Sequence, residues 1–393
     1  MQQYDICLPC DNDYLKYAAV LISSIVNTQP AEKIKLTSDS HALFIFHLLM
    51  SEISDENKTC LQQFEETLAK DFSIKIETHI VDDKLFEKYA TYGENKNHTA
   101  YYKLLAPEIV DDNVNKVLCI DIDMVCCGDI TEIFDIDLGD NIIAAAPDYD
   151  PAKPPLTPKD KANPPFVFKY SENSCYCAMG VILIDIPKWK QHNVKEKCFE
   201  ILDKYNVLLP EQDAINAVIG SKIYLLPLCW NLMTMFLYKD PAYANYIQQS
   251  WAKRSEVIKN LMQPYITNVL SKLKFIHFAG EIKAWKGNYC KIGSDGNFIR
   301  NDENFQKYWI ECAKNTPAFQ TQLYNAIHQD DIEIKFEAFV EELSSFIGRY
   351  VLKYTREHRK QIAELRQKLK VLSYISGAEG IILAGMLLFI LLR

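Results

Sequence analysis

Apolar runs and amphipathic segments alternate along the first two-thirds of the chain. Residues 4–10 form an apolar run that predicts a buried strand, and residues 14–26 are apolar at helical spacing, which predicts a helix. The same patterns predict further strands at 42–46, 73–81, 116–123, 141–146, 180–186 and 273–278, and further helices at 56–70, 101–110, 194–205 and 211–219. A strand, a short acidic loop and a helix at the start of such an alternation are typical of an α/β nucleotide-binding domain.

Two segments depart from this alternation. Residues 147–166 hold seven of the sixteen prolines, which excludes a regular helix or a central strand. A loop of this length inside a compact domain is often a lid over a site, and a plain surface loop is the alternative. From about residue 301 the apolar spacing is helical to the end of the sequence.

The composition is that of a globular protein with room for a catalytic domain and extensions. The chain has 393 residues, 48% of them hydrophobic, and its net charge of −9 gives no electrostatic reason to expect nucleic acid as a partner. The first residues lack the pattern of a secretory signal, so we expect a cytoplasmic protein whose twelve cysteines are reduced. Cys7 and Cys10 have the spacing of a thiol oxidoreductase, but Cys7 falls inside a predicted strand rather than at a helix start.

The C-terminal segment is basic, in contrast to the rest of the chain. Residues 349–370 contain eight basic and two acidic residues, a net charge of +6, while the remainder sums to −15. Apolar residues recur there at helical spacing, which predicts an interfacial amphipathic helix. The uncharged run 380–392 is shorter than the about 20 residues that span a bilayer. We expect this end to lie on, or be anchored in, an anionic membrane from its cytoplasmic side, and a helical oligomerisation tail is the alternative.

Two acidic residues follow the predicted strand at 116–120. Asp121 and Asp123 are two positions apart, so in an extended chain both carboxylates face the same side. Ligands of α/β sheets bind at the carboxyl ends of strands, and paired carboxylates suit Mg²⁺ or Mn²⁺. A solvated turn is the alternative for an isolated Asp-x-Asp, but the apolar run before it favours a metal site.

A second group of candidate residues follows the predicted strand at 273–278. His277 ends the strand, Gly280 permits close backbone approach, and Lys283 is able to neutralise phosphate charge. An imidazole beside carboxylates favours Mn²⁺ over Mg²⁺. A histidine packed in the core is the alternative for His277 taken alone.

The loop after the first predicted strand contains Asp11 and Tyr14. A carboxylate accepts a hydrogen bond from a nucleobase, and a tyrosine ring stacks on it. Aspartate is also a favoured residue at helix starts, so a capping role is the alternative, and the two roles are compatible.

Together these residues resemble glycosyltransferase family 8, whose bacterial members include lipopolysaccharide galactosyl- and glucosyltransferases. The resemblance covers residues 4–290, and several ordered motifs carry it. These are residues 11–14 with Tyr17, Ser23 and Ser24; Tyr-Tyr-Lys-Leu-Leu-Ala-Pro-Glu at 101–108; Lys-Val-Leu-Cys-Ile-Asp-Ile-Asp at 116–123; Gly128, Asp129, Phe134, Asp137 and Gly139; Gly180 to Asp185 with Trp189; Glu-Gln-Asp-Ala-Ile-Asn at 211–216; and His277, Gly280, Lys283 and Trp285.

The resemblance implies a GT-A fold and a set of site residues. It implies Mn²⁺, with Mg²⁺ as the alternative, bound by Asp121, Asp123 and His277. It also implies contacts to the UDP-sugar donor and its sugar from Asp11, Tyr14, Lys103, Asp148, Gly280 and Lys283. Gln212 matches the glutamine placed beneath the anomeric carbon, and Glu211 and Asp213 match neighbouring acidic positions. Because a glutamine is a poor nucleophile, attack by the acceptor on the face from which the diphosphate leaves is the favoured hypothesis.

We therefore expect a GT-A catalytic domain at 1–290, a helical extension at 291–348, and a basic amphipathic helix with a hydrophobic membrane-anchoring tail at 349–393. The expected activity is retaining transfer of galactose or glucose from a UDP-hexose to an oligosaccharide or lipid-linked acceptor, such as a lipopolysaccharide or lipooligosaccharide core. Alternatives are another donor such as UDP-GlcNAc, a non-catalytic membrane scaffold, and a metal-dependent nucleotidyltransferase or hydrolase.

Three positions depart from the family pattern. Lys103 stands where many members have arginine, so a bidentate contact becomes a point charge. Ala178 stands where members usually have asparagine, which removes a hydrogen bond to sugar hydroxyls and leaves the donor hexose open. Ala284 replaces the usual proline before Trp285.

Overall fold

The protein is built around a seven-stranded sheet with helices on both faces. The computed structural model describes residues 2–37, 42–91, 97–148, 156–159, 168–170, 175–234, 272–280, 283–285, 290–292, 298–300 and 303–328. The strands in chain order are β1 Gln3–Pro9, β2 Leu43–Met50, β3 Ile74–Ile80, β4 Lys116–Ile120, β5 Met124–Cys126, β6 Ile143–Pro147, β7 Thr157–Pro158, β8 Cys177–Asp185, β9 Tyr205–Asn206, β10 Ile223–Leu225, β11 Leu232–Met233, β12 Phe275–His277, β13 Cys290–Ile292 and β14 Phe298–Arg300.

The α-helices lie between these strands and after them. In chain order they are α1 Leu15–Thr28, α2 Ala31–Ile34, α3 Asp55–Leu68, α4 Ala106–Ile109, α5 Ile186–Gln191, α6 Val194–Lys204, α7 Pro210–Ile219, α8 Glu303–Asn315 and α9 Gln320–His328. Short 3₁₀ helices occur at Asp83–Leu85, Thr99–Leu105, Thr131–Ile133 and Leu228–Trp230.

The strand order of the main sheet creates a crevice between β1 and β4. The order is β10-β6-β8-β4-β1-β2-β3. Strands β1, β2 and β3 run parallel in sequence order towards one edge, whereas β4 pairs in parallel with the other side of β1. The order in which the strands are added to the sheet therefore reverses between β1 and β4. At such a point α/β sheets bind ligands, beyond the carboxyl ends of the strands. Strand β8 is antiparallel to both of its neighbours, β4 and β6.

Side chains of β4 alternate between two apolar cores, one on each face of the main sheet. Leu118 and Ile120 belong to the core under α1, and Val117 and Cys119 belong to the core under α6 and α7. All four are fully buried. A strand covered on both faces has to be apolar throughout, which explains the continuous apolar run that precedes Asp121.

A small second sheet brings the segment around β12 to the end of β4. Strand β12 pairs antiparallel with β5 and parallel with β11, so His277 lies opposite both Met124 and Met233. The amide of Phe278 donates to the Asp123 carbonyl at 2.9 Å. The strand-end histidine is thereby fixed beside the acidic pair, from which it is far apart in sequence.

The mixed α/β class and the positions of the main strands confirm the sequence prediction. Two segments differ from it. The predicted helix at 101–110 is divided between a 3₁₀ helix that ends at Leu105 and the short α-helix α4. The predicted helical extension from residue 291 begins with the antiparallel hairpin of β13 and β14, because Cys-Lys-Ile and Phe-Ile-Arg are strand-forming and an Asp-Gly pair lies between them. The helices α8 and α9 follow, as expected.

Other sequence predictions are only partly covered by the described residues. Of the proline-rich segment, residues 156–159 are described, and β7 pairs there with β9. The tail at 349–393 lies outside the described residues. Among the described helices, none has the length and apolar character needed to cross a membrane. Each cysteine side chain that the structure describes carries a free thiol.

Aromatic rings join α8 to α1 and to the segment after β12. Trp309 of α8 is fully buried and packs 5.6 Å from Trp285 and 6.0 Å from Tyr17, measured between ring centroids. Tyr17 and Trp285 stack in parallel at 3.8 Å. The rings therefore link α1, the segment after β12 and the C-terminal helix pair into one packing unit.

We expect Trp309→Ala to lower the free energy of unfolding by about 3–5 kcal/mol, because it leaves a cavity in this aromatic cluster. Trp309→Phe is the matched control. It keeps a ring in place and removes an indole N–H that has no hydrogen-bond partner in the described part of the chain, so its cost should be about 1–2 kcal/mol. Urea unfolding followed by circular dichroism measures both, and equal losses would contradict the packing role.

Candidate active site

The site lies at the carboxyl ends of β1 and β4, where the sheet order reverses. Asp11 follows β1, and Asp121 follows β4 and is held by a backbone hydrogen bond from its amide to the Gly180 carbonyl of β8, at 2.8 Å. The neighbouring strand ends thus place both predicted groups of acidic residues at one edge of the sheet. This position follows from the topology alone.

Asp121, Asp123 and His277 come together as the sequence predicted. The Nε2 atom of His277 lies 3.1 Å from Asp123 Oδ1 and 3.9 Å from Asp121 Oδ2. Each residue offers one ligand atom, and these atoms lie within 4.8 Å of one another. Two carboxylate oxygens and one imidazole nitrogen are a set that fits a divalent metal ion.

In each of the two aspartates, one carboxylate oxygen contacts a lysine and the other lies on the side of His277. Asp121 Oδ1 lies 2.6 Å from Lys103 Nζ, and Asp123 Oδ2 lies 2.5 Å from Lys283 Nζ. The other oxygens, Oδ2 of Asp121 and Oδ1 of Asp123, remain on the side of His277. Burial alone would raise the pKa of the Asp123 carboxyl, but Lys283 and His277 hold it well below its ordinary value. The Asp123 carboxylate is therefore ionised at neutral pH.

Asn231 orients the histidine, and sequence reasoning missed it. Its Oδ1 atom lies 2.8 Å from His277 Nδ1, and the residue is fully buried. When Nδ1–H donates to this oxygen, the lone pair of Nε2 faces the carboxylates. Asn231 precedes β11, and only the pairing of β11 with β12 brings it to His277. A contact over 46 residues leaves no local pattern in the sequence.

Gly180 provides the space in which the His277 ring lies. A Cβ atom at this position would lie 2.7 Å from Cε1 and 2.8 Å from Nδ1 of that ring, closer than van der Waals contact permits. It would also lie 2.8 Å from the end of the flexible Met124 side chain. The ring therefore packs directly on the backbone of β8, and any side chain at position 180 has to displace it.

Lys283 reaches the site from a turn that contains Gly280. Gly280 has a φ of 85°, in the left-handed region that favours glycine. The Lys283 ammonium also donates to the Phe278 carbonyl at 3.2 Å. The lysine is thus held at the edge of the acidic cluster by a carboxylate and a backbone oxygen.

Lys103 is placed differently from the donor contact that we expected. Its side chain is 2% exposed, and its Nζ lies 2.6 Å from Asp121 Oδ1, 3.1 Å from Glu211 Oε1 and 2.9 Å from the Met179 carbonyl. These three acceptors match the three N–H donors of an ammonium group. Burial alone would lower the pKa of Lys103, but the two carboxylates raise it above its ordinary value. The contacts make Lys103 a positioning residue between β4, β8 and α7.

Gln212 is fixed in one orientation in the first turn of α7. Its Oε1 accepts a hydrogen bond from the Met179 amide at 2.9 Å, and its Nε2 donates to Asp148 Oδ2 at 2.8 Å. Tyr176 lies 3.3 Å from the same Nε2. Lys103 also contacts Met179, through its carbonyl, so this residue of β8 links Gln212 to the acidic cluster.

The two acidic neighbours of Gln212 have distinct surroundings. Glu211 is buried against Lys103, and burial raises the pKa of its carboxyl. Asp213 Oδ2 accepts from the amides of Leu208 and Leu209 at 2.7 and 2.9 Å, and Asp213 Oδ1 accepts from the Tyr176 hydroxyl at 2.5 Å. Asp213 is 2% exposed, so these contacts make it a clamp on the start of α7 rather than a residue open to the donor sugar.

Asp11 closes the turn that precedes α1 and is not the N-cap residue of that helix. Its Oδ1 accepts from the Tyr14 amide at 2.8 Å, and its Oδ2 accepts from Asn97 Nδ2 at 2.6 Å. Tyr14 is the N-cap residue, and its side chain makes no capping hydrogen bond. The half-buried Tyr14 ring packs edge-on against Trp285 at 5.6 Å. The bond to the Tyr14 amide holds Asp11 and Tyr14 at the mouth of the crevice, so it is compatible with a role in nucleobase binding.

Comparison with known proteins identifies the family to which this chain is similar. The model of the family described as glycosyl transferase family 8 matches residues 5–288. Lipopolysaccharide 1,3-galactosyltransferase of Salmonella typhimurium is 24% identical over 338 residues, which cover 83% of this chain and 85% of the relative. General stress protein A of Bacillus subtilis is 23% identical over 284 residues, covering 71% and 86%, respectively.

Solved structures share the fold. The apo structure of the bifunctional glycosyltransferase WbbM has a TM-score of 0.59 at 20% identity; the match covers 83% of this chain and about half, 52%, of that one. Galactosyltransferase LgtC in complex with donor and acceptor sugar analogs has a TM-score of 0.54 at 20% identity, and the match covers 80% of this chain and 96% of LgtC. Both are GT-A glycosyltransferases. The chain therefore belongs to glycosyl transferase family 8 and is a glycosyltransferase with the GT-A fold.

Proposed function

We propose that this enzyme transfers a hexose, galactose or glucose, from a UDP-sugar to a saccharide acceptor with retention of anomeric configuration. The observation that carries the proposal is the cluster of Asp121, Asp123 and His277, with Lys283 beside it, at the reversal point of the sheet. A cluster of two carboxylates, one imidazole and one ammonium group is suited to a divalent metal and a diphosphate together. The family membership supports a nucleotide-sugar donor.

The donor set favours Mn²⁺, with Mg²⁺ as the alternative, because one of the three ligands is an imidazole nitrogen. Asp121, Asp123 and His277 would hold the ion, which supplies Lewis-acid stabilisation of the leaving diphosphate. The space above Gly180 and the hydrogen bond from His277 Nδ1 to Asn231 Oδ1 keep His277 in the orientation that ligation needs. The residues present therefore fit the metal that the family implies.

The other crevice residues would contact different parts of the donor. Asp11 and Tyr14 would bind the uracil ring at the end of β1, and Gly280 and Lys283 would contact the diphosphate. Asp148 and Gln212 would face the hexose. Glu211 and Lys103 would hold this side of the crevice in place. Ala178 leaves one hydrogen bond fewer for the sugar hydroxyls, so another UDP-sugar such as UDP-GlcNAc is the alternative donor.

The stereochemical course follows from the chemistry of Gln212. A carboxamide is a poor nucleophile, and in this chain its oxygen already accepts the Met179 N–H. We therefore favour attack by an acceptor hydroxyl on the same face from which the diphosphate departs. The C–O bond to UDP breaks, the new glycosidic C–O bond forms, and the hydroxyl proton passes to the departing diphosphate. The Gln212 dipole stabilises positive charge at the anomeric carbon.

The acceptor and the membrane are the least constrained parts of the proposal. Relatives named as lipopolysaccharide glycosyltransferases support a lipopolysaccharide or lipooligosaccharide core, or another lipid-linked saccharide, as the acceptor. The basic charge of residues 349–370 supports a position at the cytoplasmic face of a membrane. A non-catalytic scaffold is the opposing hypothesis, and the intact acidic cluster argues against it.

A screen of UDP-sugar hydrolysis with added Mn²⁺ tests the proposal. We expect cleavage of UDP-galactose or UDP-glucose that EDTA abolishes and Mn²⁺ restores. Asp123→Asn should lower the rate by at least about 100-fold, because it removes charge from the metal and diphosphate site. Asp140→Asn is the matched control and should keep the full rate, because this exposed aspartate precedes β6, at the end of the sheet opposite the carboxyl end of β4. No hydrolysis of any UDP-sugar, or cleavage that persists in EDTA, would overturn the assignment.

We expect Gly180→Ala to weaken Mn²⁺ binding by about tenfold or more, because the added methyl group displaces the His277 ring. A double-mutant cycle with His277→Ala provides the control. Where position 180 acts through the ring, Gly180→Ala should change affinity less than about twofold in the His277→Ala background. Full additivity of the two losses would show that Gly180 acts elsewhere. Titration of Mn²⁺ by electron paramagnetic resonance measures each affinity.

Gln212→Ala should lower kcat for transfer by about 10–100-fold with a smaller change in KM, because the amide dipole acts mainly on the transition state. Gln212→Asn keeps the functional group but withdraws it by one methylene, and we expect an intermediate rate. Retention of full activity by Gln212→Ala would exclude an essential role for this side chain. Product analysis by NMR reports the anomeric configuration of the same reactions.

A further inference from the structure

A second group of potential ligands lies at the other end of the main sheet. His47 of β2 pairs directly with Glu77 of the edge strand β3, and His79 follows two residues later on the same face. Asp5 of β1 lies on this face too, because its strand neighbour Cys7 pairs with His47. The register of three parallel strands thus collects two imidazoles and two carboxylates away from the crevice between β1 and β4.

Three atoms of this group form a triangle with nearly equal sides. His47 Nδ1 lies 3.0 Å from His79 Nε2 and 3.4 Å from Glu77 Oε2, and His79 Nε2 lies 3.7 Å from the same oxygen. In a tetrahedral zinc site with bonds of 2.0–2.1 Å, two ligand atoms are about 3.3–3.4 Å apart. The mean of the three sides fits this spacing without a change of backbone.

Asp5 fixes the tautomer that ligation by His47 requires. Its Oδ1 atom lies 3.0 Å from His47 Nε2, and both residues are 3% exposed. When Nε2–H donates to this carboxylate, the Nδ1 lone pair faces His79 and Glu77. Asp5 is held in turn by Gln3, whose Nε2 lies 3.0 Å from both carboxylate oxygens. A carboxylate behind a ligating histidine is the usual support of a zinc ligand.

The triangle is buried on one side and open on the other. The Glu77 and His79 side chains are 30% and 26% exposed, so a water molecule is able to complete a fourth coordination position. The second oxygen of Glu77 is bound by Lys75, which leaves Oε2 directed at the two imidazoles.

We propose that His47, Glu77 and His79 bind one Zn²⁺ ion, with Asp5 as the positioning residue, and that this ion clamps the edge strand β3 to β2. Two imidazoles and one carboxylate suit zinc, whereas two carboxylates and one imidazole in the crevice suit a harder ion. The ion would act on the stability of the sheet edge, because β3 has a neighbour on one side only. The site is independent of the transfer reaction.

Metal content of the full-length protein tests this directly. The Asp121→Asn/Asp123→Asn double variant removes the crevice site, and the protein is stripped with chelator and then titrated with Zn²⁺ by calorimetry. We expect one Zn²⁺ per chain, a rise in the thermal unfolding temperature on binding, and with Co²⁺ the visible absorption of a four-coordinate site. Adding His79→Gln in this background should lower the Zn²⁺ affinity at least about 100-fold, whereas the matched control His192→Gln should leave it unchanged.

Asp5→Asn separates a positioning role from a packing role. The amide keeps a hydrogen-bond acceptor for His47 but loses the charge, so Zn²⁺ affinity should fall by about 10-fold or more while the apo protein still folds cooperatively. The absence of Zn²⁺ binding in the double variant, or equal binding with and without His79→Gln, would overturn the proposal. The group would then be a chain of hydrogen bonds among its own side chains. Neither result bears on transfer activity, which the crevice mutations test separately.

Discussion

The geometry of the active site depends on the contacts that the buried ammonium group of Lys103 makes. It joins a carboxylate at the end of β4, a carboxylate of α7 and a backbone carbonyl of β8. These elements lie far apart in sequence, and a buried cation is tolerated only when its partners surround it. Asp121, Glu211 and Met179 are therefore fixed relative to one another before any ligand arrives. Because these three residues are already fixed, they need little reorganisation when charge develops during transfer.

The division of oxygens between lysines and the histidine follows from this constraint. Lys103 takes one oxygen of Asp121, Lys283 takes one oxygen of Asp123, and the remaining pair lies on the side of His277. Two adjacent carboxylates without these lysines would repel each other and favour protonation. With Lys283 beside it, Asp123 stays ionised, and the remaining oxygen of each aspartate is directed towards His277. The same contacts explain why lysine, a point charge, is tolerated where many family members have arginine.

The sequence predicted the parts of the site that local pattern determines. The apolar run of β4 and the spacing of Asp121 and Asp123 were sufficient to predict a strand that ends in paired carboxylates. The fold class followed from the alternation of strands and helices. Asn231 was missed, because only the pairing of β11 with β12 brings it to His277. The inward orientation of Lys103 and the clamp made by Asp213 were missed for the same reason, since burial and partner choice are properties of tertiary packing.

His277 and His47 each face a carboxylate and are oriented by different partners. An amide oxygen accepts from Nδ1 of His277, whereas a carboxylate lies behind Nε2 of His47. A negative partner makes an imidazole more basic and a better ligand for a borderline-soft ion, while a neutral partner fixes its direction without adding charge. In the crevice, where we propose that a diphosphate binds, a neutral partner of the histidine adds no further charge. At the sheet edge no charged substrate is expected, so stronger ligation of the proposed ion would only stabilise the pairing of β3 with β2. The difference in partner therefore matches a harder, exchangeable ion in the crevice and a softer, resident ion at β3.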